Sequence, residues 1–373
     1  MLKVICNQKD LTKAIGESQK AVSNKVAIDI LKDFYIQAVN NSLKITGYNL
    51  EISIESIIDA NVITEGEILI DSKLFGDIIR KLPVADIEIS VEGEVLTIIC
   101  ENSKFNLKCR SSVDYPKIPS VPNDNLIEVN QGLFKQMINE TVFATSQDQT
   151  KPVLTGELLE IKDGKLNLVA IDGYRLSVST NKFESSIGDS RIIIPSKALR
   201  DISSLLNSSN DNFKLGFNEK YITFIVNNTT IVSRLIDGEF VEYRKLLPKE
   251  YHSLVTAKTE TLLSCIDRAS LLITSERNSL VKLEIRDNVL TIKSNADSGN
   301  CNEEMGISLL GDYLDIAFNS RYLTEALKVI ETEEVTLEFT TNVNPCIIKP
   351  VSKGTEIKEY TYLILPVRIS SNA

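Results

Sequence analysis

A single histidine, His252, serves the whole 373-residue chain, and that scarcity removes much familiar chemistry. Ser–His nucleophile pairs and His-ligated metals need histidine placed beside partners, whereas His252 stands in a linker just after LLPKE. There is no GxxxxGK[ST] and no GxGxxG, so no phosphate cradle is present. Cys6, Cys100, Cys109, Cys265, Cys301 and Cys346 form no CxxC and no metal-ligand spacing. Cys100 and Cys109 flank a hairpin as one candidate pair, but reduced, buried thiols are the expectation for a reducing compartment. No apolar run approaches the roughly eighteen residues of a membrane span. The start, MLKVICNQKD, lacks a signal-peptide core. These absences predict a cytoplasmic protein with no metal, no cofactor and no catalytic residues.

What is present is a soluble, globular composition, 43% hydrophobic and 25% charged. The net charge of −10 argues against nucleic acid unless basic residues are gathered on one face. The chain is long for one core, and repetition supplies the division. IPSKALRDISSLL (194–206) has counterparts in IDSKLFGDIIRKL and FNSRYLTEALKVI, with Ser72, Ser196 and Ser320 spaced 124 apart. The three serines read as helix N-caps. Three further helices open the thirds: NQKDLTKAIGESQKAV, NQGLFKQMINETVFAT and KTETLLSCIDRASLLI. Between helices lie alternating segments such as KLNLVAI and VLTIK, with turn pairs Asn40-Asn41 and Asp163-Gly164, the pattern of antiparallel hairpins. Proline-rich stretches near PKIPSVP and LLPKE set the boundaries. The reading is three tandem α+β domains, each two helices on antiparallel sheet: 1–123, 124–250 and 251–369, with 370–373 as a tail.

Helical projection at about 100° per residue places Leu11, Ala14, Ile15, Ser18 and Val22 on one side and Lys9, Lys13 and Lys20 opposite. Leu74, Phe75, Ile78, Ile79 and Leu82 likewise oppose Lys73 and Arg80. Leu199, Ile202, Leu205 and Leu206 oppose Lys197 and Arg200. The six helical segments carry twelve basic and nine acidic residues, a positive bias against the acidic whole. A repeat scaffold that binds only proteins leaves that bias unexplained. A triplicated enzyme using paired carboxylates is the other rival, separable by assaying hydrolase activity.

AIDGYRLSVS (170–179), LIDGEFVEYRKLLP (235–248) and YLILPVRI (362–369), set in a threefold repeat, resemble the bacterial sliding clamp family, the β subunit of DNA polymerase III. The resemblance runs over about residues 1–369. It implies a ring-shaped homodimer of six domains around duplex DNA, conferring processivity without reading sequence. Helix packing at about 10 Å agrees: six helices in a circle leave a hole of roughly 9 Å, twelve leave roughly 28 Å. Only two chains encircle a duplex. The family's DNA contacts correspond to Lys25, Gln147, Asp148 and Lys151, where Asp148 departs from a neutral residue. A groove for short peptides of polymerase, clamp-loader and repair proteins corresponds to Leu154, Gly173, Tyr174, Arg175, Leu176, Val241, Lys245, Leu246, Val343, Leu363, Leu365, Pro366, Val367 and Arg368. Apolar walls there would take peptide anchors, with Arg175 and Arg368 meeting polar groups. Val241 stands for a usual proline and Lys245 for a usual arginine. The resemblance sets Phe105 and Leu107 against Leu272 and Ile273 at the dimer seam, with Lys73 and Lys104 facing Glu303 and Glu304. Loading the ring requires an ATP-driven partner, since this chain has no nucleotide motif.

Overall fold

The computed structural model describes residues 2–23, 28–120, 126–183, 188–273, 280–351 and 359–368. Among them are six α-helices: α1 (Gln8–Ser18), α2 (Ser72–Lys81), α3 (Gln131–Thr141), α4 (Ser196–Ser203), α5 (Thr259–Ser270) and α6 (Ser320–Leu327). Each follows directly on a strand, so one strand–helix unit recurs six times. The helices are shorter than their apolar stripes suggest; α1 and α3 pass into 3-10 turns at Gln19–Ala21 and Val142–Ala144.

The caps also differ from the sequence reading. Ser72, Ser196 and Ser320 are the first helical residues rather than caps. The residue before each helix does the capping where a short polar side chain is available. Asn7 accepts from the Lys9 amide (2.9 Å), Asp71 from Leu74 (2.7 Å), Asn130 from Leu133 (2.9 Å) and Asn319 from Arg321 (3.0 Å). The serines are buried instead. Leu74, expected on the apolar side, is half exposed. It lies about 100° from Phe75, outside the stripe that Phe75, Ile79 and Leu82 fill.

The chain divides into two compact units, Met1–Lys135 with Lys197–Leu235, and Gln136–Ser196 with Ile236–Ala373. In the first, a five-stranded antiparallel sheet runs in the order 61–64, 2–7, 86–92, 95–100, 103–108. An eight-stranded sheet runs 127–130, 212–217, 221–226, 229–234, 52–59, 42–48, 33–39, 66–71. Leu11, Ile15, Phe34, Phe75 and Ile79 lie at the centre of its core. Gly47 is required here. A side chain there would collide with the Ser18 carbonyl, so glycine lets the end of α1 lie against its strand.

In the second unit a nine-stranded sheet runs 190–195, 156–162, 165–171, 175–182, 359–364, 346–350, 334–339, 253–258, 308–311. A four-stranded sheet runs 299–306, 289–296, 280–286, 314–319. Phe318, Phe339, Tyr360 and Tyr362 anchor the larger core with α5 and α6.

The hairpin read from Asn40-Asn41 and Asp163-Gly164 occurs three times. Val39 pairs Ser42, Lys162 pairs Lys165 and Arg286 pairs Val289. Positive φ at Asn40, Asn41, Asp163, Gly164, Asp287 and Asn288 gives the turn whose twist suits a two-residue hairpin.

Candidate interaction sites

The groove residues all lie in the second unit. Asp172 accepts from the amides of Tyr174 (2.8 Å) and Arg175 (3.0 Å), closing a turn that needs φ +97° at Gly173. That turn lifts Tyr174 into solvent, 63% exposed, and drops Leu176 into the interior. Leu176 pairs Leu363 on the neighbouring strand, and both pack with Phe240, Tyr243, Leu154 and Leu247. The Leu365 amide bonds the Tyr174 carbonyl (2.9 Å) and that of Val367 bonds Ala317 (2.8 Å), fixing the chain that follows strand 359–364. Tyr174, Val241, Leu246, Val343 and Leu365 are large apolar or aromatic side chains left exposed in this unit. Lys245 and Arg368 are exposed too, with Pro366 and Val367 half-buried.

Arg175 does not play the part expected of it. It is 5% exposed and its guanidinium is engaged: Nε donates to Asp172 (2.9 Å), Nη1 to Glu325 and Nη2 to the Phe143 carbonyl (2.5 Å). The Tyr322 ring lies 4.4 Å below it and also stacks on Tyr174 at 6.4 Å. Arg175 is therefore a strut under the turn. Burial alone would raise the Glu325 carboxyl, but hydrogen bonds from Arg321 and Arg175 hold it below its ordinary value.

A second strut holds the other wall. Glu160 is buried on strand 156–162 and accepts from Tyr243 (3.0 Å) and both Arg244 Nη atoms, with Arg191 at 3.6 Å. Burial would raise its pKa, yet the Arg244 bonds and charge, with Tyr243 and Arg191, bring it below normal. This fixes the short helix Tyr243–Lys245, which carries the segment with Val241 and Leu246. Sequence reasoning missed Phe143, Glu160, Tyr322 and Glu325. EYRKLL was the one visible signal, through Tyr243 and Arg244.

The helix faces are simpler. Lys9, Lys13, Lys73, Arg80, Lys197 and Arg200 are exposed. Lys20 is half-buried and donates to Ser204, while Lys197 reaches the Lys20 carbonyl at 3.2 Å; Arg80 pairs with Asp77 (2.8 Å). Gln147 and Lys151 are exposed on one loop. Asp148 shapes that loop, accepting from the Thr150 amide and hydroxyl, which lower its pKa. Lys25 lies outside the described residues.

Two strand edges form the third feature. Strand 103–108 pairs only with 95–100, and strand 299–306 only with 289–296, among the described residues. Phe105 is exposed, while Leu107 packs partly on the first core. Ile273 packs partly on the other, and Leu272 is half-buried. Glu304 is exposed, whereas Glu303 is bound by Arg268 at 2.7 Å; Lys104 is exposed.

All six cysteines are free, and all but Cys301 are buried. Burial, with Asp10 and Asp86 nearby, pushes the Cys6 thiol up to about 12. Among the described residues no group of three or more His, Cys, Asp or Glu is arranged to hold a metal, and no helix is long and apolar enough to cross a membrane.

The architecture is that of solved clamp proteins. A putative DNA polymerase III β subunit from Eubacterium rectale superimposes with a TM-score of 0.93 at 33% identity, covering 98% of this chain and 99% of that one. The DNA polymerase sliding clamp of Bacillus subtilis gives 0.94 at 30%, covering 99% and 100%. In sequence, the β sliding clamp of Staphylococcus aureus is 32% identical over 365 residues, 95% of this chain and 96% of that protein. The N-terminal, central and C-terminal domain models of the DNA polymerase III β subunit match residues 2–119, 128–242 and 244–368. The chain belongs to the DNA polymerase III β subunit family, in three tandem α+β domains. Membership supports a DNA sliding-clamp function in replication.

Proposed function

We propose that two copies of this chain close a ring around duplex DNA and tether the polymerase through the groove, making synthesis processive. The observation that carries the reading is a repeated junction. In the first unit strand 52–59 pairs strand 229–234, Ser56 opposite Thr229. In the second, strand 175–182 pairs strand 359–364, Ser179 opposite Tyr360. Counting along the three hairpins, Ser56, Ser179 and Glu303 are equivalent. Counting back through the paired strands makes Ser103, Thr229 and Tyr360 equivalent as well.

Both junctions thus have one register, and the strands left over are 299–306 and 103–108. Joined between two copies in that register, Glu303 faces Ser103, Cys301 faces Phe105 and Gly299 faces Leu107. Lys104 then lies diagonal to Glu304, within reach across a sheet. Two such seams pair edges that would otherwise invite unspecific strand addition. The division at 123 and 250 is kept as the proposed boundary between repeating modules, residue 123 itself lying outside the described residues.

The exposed helix lysines and arginines would meet phosphates without reading bases, as sliding demands. The apolar groove would take a short peptide from a polymerase, loader or repair protein. Loaded by its ATP-driven partner, the protein should remain on nicked circular DNA and leave once the circle is cut. Equal release from both forms would overturn the ring.

A further inference from the structure

The three helices that open each third carry Glu17, Glu140 and Arg268 at their tenth residue. At the first junction Glu17 accepts from Ser56 (2.9 Å) and from Thr229 on the arriving strand (2.6 Å). At the second, Glu140 accepts from Ser179 (2.6 Å), and the arriving strand again brings a hydroxyl, Tyr360, 3.4 Å from Ser177. A helix carboxylate accepting from the serine hydroxyl of the strand beside it is thus built twice.

At the open edge the carboxylate has changed sides. Arg268 occupies the helix position and donates through Nε (2.9 Å) and Nη2 (2.7 Å) to Glu303, which stands where Ser56 and Ser179 stand. Nη2 also reaches Cys265 Sγ at 3.2 Å, tethering the guanidinium to its own helix. The residue equivalent to Thr229 is Ser103, a hydroxyl once more.

We propose that the Arg268–Glu303 pair is the recognition element of the seam: Glu303, oriented by Arg268, accepts a hydrogen bond from Ser103 of a second copy. The inference rests on the ring reading and adds the residues that choose the partner strand. An ionised carboxylate has about four acceptor positions, and a forked guanidinium fills two of them, leaving room for a hydroxyl. The internal junctions form within one chain. An edge that waits in water gains from an arginine that fixes its carboxylate beforehand, because less ordering remains to be done on assembly.

The test is the dimer dissociation constant, measured by sedimentation for wild type, Ser103→Ala, Arg268→Glu, and Arg268→Glu with Glu303→Ser. Ser103→Ala should weaken the dimer about a hundredfold, because one hydrogen bond to a charged group, worth about tenfold, is lost at each of the two seams. Arg268→Glu should weaken it further by setting two carboxylates together. The double variant rebuilds the Glu17–Ser56 arrangement and should recover to within about threefold of wild type. Thermal unfolding of each variant separates a weakened seam from a damaged fold. A wild type that is monomeric at every concentration refutes the ring. A wild-type dimer indifferent to Ser103→Ala, or a double variant no tighter than Arg268→Glu, leaves the ring standing and overturns this inference.

Discussion

The proposed groove and the helix faces are constructed on opposite principles. Under the groove, Arg175 and Glu160 are buried and multiply bonded, and they hold Tyr174, Val241 and Leu246 in place from below. On the helices, Lys9, Lys13 and Lys73 are single charges in water on an amphipathic scaffold. A peptide site needs its shape fixed before the ligand arrives, so that little ordering remains. A surface that slides needs the reverse: weak, replaceable interactions with no fixed geometry.

The comparison breaks most sharply at Arg175. Arg175→Ala takes the buried guanidinium from the Asp172 and Glu325 carboxylates, leaving Glu325 with Arg321 alone, and should cost about 3 kcal/mol of stability. Peptide affinity should fall with it, read by thermal unfolding and by anisotropy of a labelled apolar peptide. Unchanged melting would mean that the turn needs no strut. Leu246→Ala, on the exposed wall, should lower peptide affinity by about 1–2 kcal/mol and leave melting alone. A parallel fall in stability would erase the distinction between strut and wall.

Lys9→Glu, Lys13→Glu and Lys73→Glu together should weaken DNA retention at low salt and flatten its salt dependence. The log–log slope should fall by roughly 0.9 for each phosphate that is no longer neutralised. Peptide binding should not change. An unaltered slope would remove these lysines from the DNA face.

The smallest effect concerns pH. Glu325 and Glu160 are both held below their ordinary value of 4.5. A depressed folded value means that their contribution is complete above the unfolded value and disappears as pH falls through the folded one. Melting temperature should therefore decline in that acid range, and Glu325→Gln should flatten part of the decline. A pH profile identical to wild type would show that the carboxylate carries no linked stability.

Periodicity made the six strand–helix units and the three hairpins legible, because both are short-range patterns. The caps were misplaced by one residue, since Asp71-Ser72 and Asn319-Ser320 each offer two good cap residues in a row and only backbone geometry chooses. The groove's surface could be named only by resemblance, and its struts not at all. Arg175 and Glu325 lie 150 residues apart, and nothing local to either announces the other. Arg175 looked like a ligand-facing arginine because sequence records its charge and not its burial. The open edges needed the strand order, which links equivalent positions in separate thirds.

The central claim is that a second copy continues the sheet in the register of the two internal junctions. Disulfide trapping reads it directly, using Asn106→Cys with Asn300→Cys, directly opposite in that register, against Asn106→Cys with Asn302→Cys, which are diagonal. Oxidation should give covalent dimers from the first pair and little from the second, whose separation exceeds disulfide reach. Monomers from both, or preferential trapping of the diagonal pair, would contradict it.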